Sequence, residues 1–150
     1  MHDSIYLVNS WLQQLAFDLQ LDEDGNIIIQ RDAQTAVLLE VIEYSKICHF
    51  YAPVTALNEY EPILGLKTAL ELNQHGLALG GCWLAWDAEI NMLCLNYNLH
   101  LLQSDAIRFN NRLQNFLIAI DTARESLNTV YLQYAHDQPS PAIIYERSQN

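Results

Sequence analysis

The sequence predicts an α+β domain: a twisted antiparallel sheet flanked by helices, in the order α-β-β-β-α-β-β-α. Three observations carry this. Apolar residues recur at helical spacing near the start, in the middle and towards the end of the chain. Between those stretches lie short runs rich in β-branched and aromatic residues, joined by linkers too short for anything but antiparallel neighbours. Finally, 150 residues that are 51% hydrophobic suit one domain with its own core.

The first helix is "DSIYLVNSWLQQLAFDLQL", with Ile5, Val8, Leu12, Leu15 and Leu19 on one stripe and Asp3 or Ser4 as its cap. "DEDGN" supplies a turn, with Gly25 free to take a positive φ. "IIIQ" at 27–30, "TAVLLEVIEY" at 35–44 and "KICHFYA" at 46–52 read as three strands, and Pro53 and Pro62 bracket a loop. "ILGLKTALELNQ" at 63–74 reads as a short helix stopped at Gly76. Residues 82–99 form two strands around the acidic turn "DAEIN". Ser104 is the expected cap of the last helix, whose stripe of Phe109, Leu113, Phe116, Ile120, Ala123 and Leu127 continues to about Tyr134. The domain is therefore placed at 1–135. Residues 136–150, with two prolines, are expected to form an irregular tail.

Charge and cysteine usage narrow the function. Eighteen acids against seven bases give a net charge of −11. Such a chain repels phosphate backbones and anionic lipid, which argues against nucleic-acid and membrane partners. Ten of the acids, with only Arg31 and Lys46 against them, fall in the first 61 residues. That half suits a basic partner, or simply solubility. No apolar run is long enough to cross a bilayer and the first residues do not read as a secretory signal, so a cytosolic chain is expected. Cys48, Cys82 and Cys94 form no CxxC pair, which fits a reducing compartment better than a disulfide framework or a zinc site.

Reactive groups are sparse. "GGCW" places Cys82 in a setting where a thiolate nucleophile needs a base, and His75 and His100 are the candidates; a small buried residue opening a strand is the alternative. Cys48 and His49 are adjacent on a strand and so point to opposite faces, unsuited to one metal. Asp22, Glu23 and Asp24 do not continue into a calcium-loop pattern, and the glycines form no phosphate cradle. No catalytic residue, metal or cofactor is expected.

The unusual feature is apolar surplus. Leu84 and Trp86 share one strand face, Trp83 and Ala85 the other. Val37, Leu39 and Val41 likewise oppose Leu38 and Ile42. A sheet sandwiched between helices explains this, and so does an interface with another chain. Burying about 400 Å² of such surface contributes roughly 10 kcal/mol before association costs.

Taken in order, the opening amphipathic helix, "LDEDGNIII", "LGLKTALELN", "GGCWLAWDAEINMLCLNYNL" and "LQSDAIRFNNRLQNFLIAIDTARESL" resemble the class I type III secretion chaperones of the Tir-chaperone type. The resemblance spans about residues 4–127. It implies a cytoplasmic bacterial homodimer without catalytic activity that binds the N-terminal segment of a secreted effector in extended form, keeping it soluble and fit for secretion. By position it implies client contacts at Val8, Leu12, Ile27, Ile29, Leu39 and Val41, and dimer contacts at Leu66, Leu70, Trp83 and Trp86. The apolar "AIIY" at 142–145 lies past the family's usual end and is read as a removable cover for the client groove. The alternatives are a small-ligand-binding protein or a regulatory sequestering protein of the same fold.

Overall fold

The structure, a computed structural model, describes residues 3–74 and 76–138. His2, His75 and the segment 142–145 lie outside the described residues. Helix α1 spans Asp3–Leu15, strands β1, β2 and β3 span Asn26–Gln30, Ala36–Ile42 and Ile47–Ala56, and helix α2 spans Pro62–Asn73. Strands β4 (Trp83–Asp87) and β5 (Met92–His100) follow, then a 3-10 turn and helix α3 (Ala106–Asp137). The expected order of elements is the one observed. All neighbours are antiparallel, and the sheet order is β1-β2-β3-β5-β4.

Alternation sorts the side chains into two layers. Leu39, Phe50 and Tyr97 stand opposite one another across β2, β3 and β5, as do Val41, Cys48 and Leu99. These form the inner face, which α1 and α3 cover. Phe50 is its centre. It meets Phe109 and Phe116 of α3 edge-on, with ring centres 6.0 and 5.6 Å apart, and Trp11 of α1 reaches Phe109 at 5.6 Å. The α3 stripe foreseen in the sequence, Phe109 to Leu127, is buried throughout.

Polar contacts fix the elements on that core. The Glu43 carboxylate accepts the Ser4 backbone N–H at the start of α1. Gly25, at φ +85°, lets the chain turn into β1 where a Cβ would crowd the Val41 carbonyl at 3.2 Å. Arg31 and Arg124 both bond the buried Thr35 hydroxyl, Arg31 pairs with Asp121, and Arg124 also donates to the Val54 carbonyl. Together they clamp the β1–β2 turn to α3.

Three boundaries differ from expectation. Helix α1 ends at Leu15, not near Leu19. Strand β3 runs through Pro53 to Ala56, because the Pro53 nitrogen faces the β2 side past the last β2–β3 pair, Leu38 and Tyr51, where no ladder bond needs its N–H; an irregularity follows between Pro53 and Thr55. Asp105, not Ser104, caps α3 by accepting the Arg108 N–H at 2.8 Å, and α3 continues past Tyr134 to Asp137.

The clamp is testable. Arg124→Met should lower the unfolding free energy by about 1–3 kcal/mol, since it orphans the Val54 carbonyl in the interior. Urea denaturation checks this; an unchanged midpoint would mean the clamp carries no stability.

Candidate functional site

The helices roof only one face. On the other, Leu38, Tyr51, Asn96 and Trp83 lie side by side across four strands, next to Glu40, His49 and Asn98. Their packing is largely with one another. Tyr51 donates to the Asp87 carboxylate at 2.7 Å and sits 3.2 Å from the Cys94 sulfur, while His49 lies between the Asn96 and Asn98 side-chain oxygens. The Trp83 ring centre is 6.1 Å from that of His49. Above Tyr51, Asp87 and Cys94 the surface dips into an open depression of about 460 Å³.

The thiols at and beneath this face are held in their neutral form. Burial pushes the Cys48 thiol up to about 12 and the Cys82 thiol up to about 11, and it also raises Cys94. A nucleophile requires the opposite shift. Burial, with Cys94 and Asp87 adding to it, raises the Tyr51 phenol. Cys82, just before β4, is a buried small residue, close to the structural alternative raised by its sequence setting. The Asp22 carboxylate accepts the Asp24 and Asn26 N–H groups and so builds the turn before β1. Among the described residues no group of three His, Cys, Asp or Glu side chains is placed to hold a metal ion. No described helix is long and apolar enough to cross a membrane.

Two surfaces remain unsatisfied. The first runs along α2 and β4. Helix α2 lies beside the outer edge of β4, where the Asn73 side chain bonds both the N–H and the C=O of Leu84. Its small residues Gly65 and Ala69 face inward, leaving Ile63 and Leu70 outward at 57% and 69% exposure. Trp86 is 52% exposed nearby on β4, tied by its indole N–H to Asn91. Of the four residues expected at a dimer contact, Leu70, Trp83 and Trp86 thus present surface, whereas Leu66 packs partly on the chain's own core.

The second surface lies at α1 and β1. Tyr6 and Phe17 are exposed on the α1 side, Phe17 at 90%, while Ile28 is exposed on the opposite face of the sheet, opposite Leu38. Beside Tyr6 an open depression is lined by Asn9, Gln20, Asp22, Glu23 and Asp24. Strand β1 is an edge. Val41 donates to the Gly25 carbonyl and Arg31 to that of Thr35, so odd-numbered residues bond inward. The N–H and C=O groups of Ile28 and Gln30 therefore point away from the sheet.

The client residues expected from the sequence do not match this surface. Val8, Leu12, Leu39 and Val41 are buried in the core, and Ile27 and Ile29 pack against it at partial exposure. An aspartate at Leu39 would disrupt folding rather than probe a groove. Three consecutive isoleucines conceal the parity of β1, and only the register, Ile27 opposite Leu39, reveals that Ile28 is the outward one. No sequence signal singled out Phe17 or Tyr6, because each falls beside an amphipathic stripe that also holds buried residues.

Comparison with known proteins follows the same line. The model of the Tir chaperone protein (CesT) family matches residues 6–124. The chain belongs to the Tir chaperone (CesT) family. No curated protein sequence matches it. Among solved structures, the ExsC-ExsE complex contains a chain that superposes with a TM-score of 0.70 at 21% identity, covering 82% of this chain and 95% of that one. The heterodimeric ExoU-SpcU complex from the type III secretion system of Pseudomonas aeruginosa gives a TM-score of 0.61 at 18% identity, over 82% of this chain and 96% of that one. The Yersinia pestis type III secretion chaperone SycH, solved with a fragment of YscM2, gives 0.61 at 16% identity, over 80% and 98%. At these identities the likeness establishes the shared CesT-type fold.

Thiol chemistry offers a check on the site. The three buried thiols should resist a thiol-reactive disulfide reagent at pH 8 in the folded chain and all react after denaturation. Fast labelling of Cys82 in the native protein would reopen the nucleophile reading.

Proposed function

We propose that the chain is a type III secretion chaperone that acts by binding alone: it pairs with a second copy and holds the N-terminal segment of an effector extended. The observation that carries this reading is the match to the CesT family over residues 6–124, on a fold whose helices roof only one face of its sheet. The work such a protein does is substitution. It covers apolar residues of the client while denying them a core of their own.

In this reading the client docks at α1 and β1. An extended segment pairs with the outward N–H and C=O groups of Ile28 and Gln30, and its alternating apolar side chains rest on Ile28 on one face of the sheet and on Tyr6 and Phe17 on the α1 side. Asp22, Glu23 and Asp24 favour a basic stretch in the same client and speed its approach. The second copy docks on α2 and β4 through Ile63, Leu70 and Trp86. The two surfaces lie at opposite edges of the sheet, so pairing leaves both client edges free. Small-ligand binding fits less well, since the depressions on the described surface are shallow and open.

Ile28→Asp combined with Phe17→Asp should weaken binding of a soluble effector N-terminal fragment at least tenfold, measured by titration calorimetry, with little change in melting temperature. Unchanged affinity would remove this edge from the client site. Leu70→Asp should convert a dimer to a folded monomer on size-exclusion chromatography with light scattering. A dimer that survives it pairs elsewhere.

A further inference from the structure

Helix α2 starts without a cap of its own. Its N-cap residue, Glu61, makes no side-chain capping bond, Pro62 brings no N–H, and Gly65 falls in the first turn, where it favours the unfolded chain. Twelve residues are too few to hold a helix unaided. The missing partner comes from α3. The Tyr131 hydroxyl accepts the Gly65 N–H at 3.0 Å and donates to the Glu61 carbonyl at 2.8 Å. In an uninterrupted helix those two groups bond to each other directly. Here one hydroxyl stands between them.

Gly65 makes room for this. A Cβ at that position would lie 2.7 Å from the Tyr131 oxygen. Tyr131 also comes from a segment the family match does not include: the match ends at residue 124, whereas α3 runs on to Asp137. Leu127, one turn before Tyr131, is fully buried and anchors that continuation. Ile63 and Leu70, the exposed residues of α2, sit on the helix whose first turn Tyr131 holds.

We propose that Tyr131, supplied from the far end of α3, caps α2 by bridging its first backbone bond, between Gly65 and Glu61, rather than by taking the N–H groups of Ile63 and Leu64, and that this cap positions the surface by which two copies pair. It is a positioning residue: it orders Ile63 and its turn before the partner arrives, so pairing does not bear that ordering cost. The proposal rests on the pairing reading above, and its test separates the two.

The variants are Tyr131→Phe, which keeps the ring and removes the hydroxyl, Gly65→Ala, their combination, and Arg124→Met as a control that loosens α3 away from α2. Two quantities are read on the full chain: amide exchange at Gly65 and the following turn, and the dimer dissociation constant by sedimentation. Tyr131→Phe should speed exchange at Gly65 about three- to tenfold and weaken pairing by a similar factor. Arg124→Met should change pairing less. Gly65→Ala should weaken pairing in the native background and weaken it less beside Tyr131→Phe, where the oxygen at 2.7 Å is gone and only the Leu57 methyl at 3.3 Å and the ring edge remain. Unchanged exchange in Tyr131→Phe overturns the cap. Faster exchange with unchanged pairing, or an equal loss in Arg124→Met, overturns its role in positioning. A native chain that stays monomeric at all concentrations overturns the pairing reading and the positioning role with it, while the exchange result still decides the cap.

Discussion

The packing of α3 against Phe50 is the contact on which the rest of the structure depends. Phe109 and Phe116 grip that ring edge-on from one side, and Trp11 of α1 closes over Phe109. Two helices therefore occupy one face of the sheet. The third, α2, is drawn to the edge of β4 by Asn73 and to α3 by Tyr131. No helix is then left to roof the opposite face, and α2 keeps one side in water. The apolar surplus of the sequence is thus divided unevenly. Most of the inner face is spent on the chain's own core, and the remainder sits on α2, on β4 and around β1.

This division explains why a chain with several aromatic residues on its surface can stay ordered. The open face is not simply greasy. Its centre is stitched by the Tyr51 bond to Asp87 and by His49, which lies between the Asn96 and Asn98 side chains, and this polar cover shields Cys94. At the far edge, the backbone of Ile28 and Gln30 points away from the sheet. Edge strands with free N–H and C=O groups invite another strand, and the acidic turn built by Asp22 stands beside this one. Chemistry based on a thiolate is opposed by the same burial that builds the core, because each cysteine loses more solvation on ionising than any neighbour restores.

Most of the fold was legible in the sequence, because helical and strand periods differ and the runs are clean. The α3 stripe, from Phe109 to Leu127, and the opposed faces of Leu84 and Trp83 are examples. What failed was local competition. Pro53 read as a loop because a proline lacks an N–H, yet its nitrogen lies past the end of the β2–β3 ladder, where β3 needs none. Ser104 read as the cap because either it or Asp105 has the chemistry, and only the backbone geometry selects Asp105. The candidate site was less legible for a related reason. Val8, Leu12, Leu39 and Val41 are apolar, and apolarity alone does not separate core from contact surface. The bond between Tyr131 and Gly65 joins residues 66 positions apart and leaves no local pattern at all.

The central claim is that a core built on one face leaves the β1 edge as the place where a client is held. Residue-level hydrogen exchange on the chain, alone and with an effector N-terminal fragment bound, tests it most directly. The account predicts that the Ile28 and Gln30 amides exchange quickly in the free chain and gain strong protection in the complex. Protection gained elsewhere while those two amides stay exposed would contradict it.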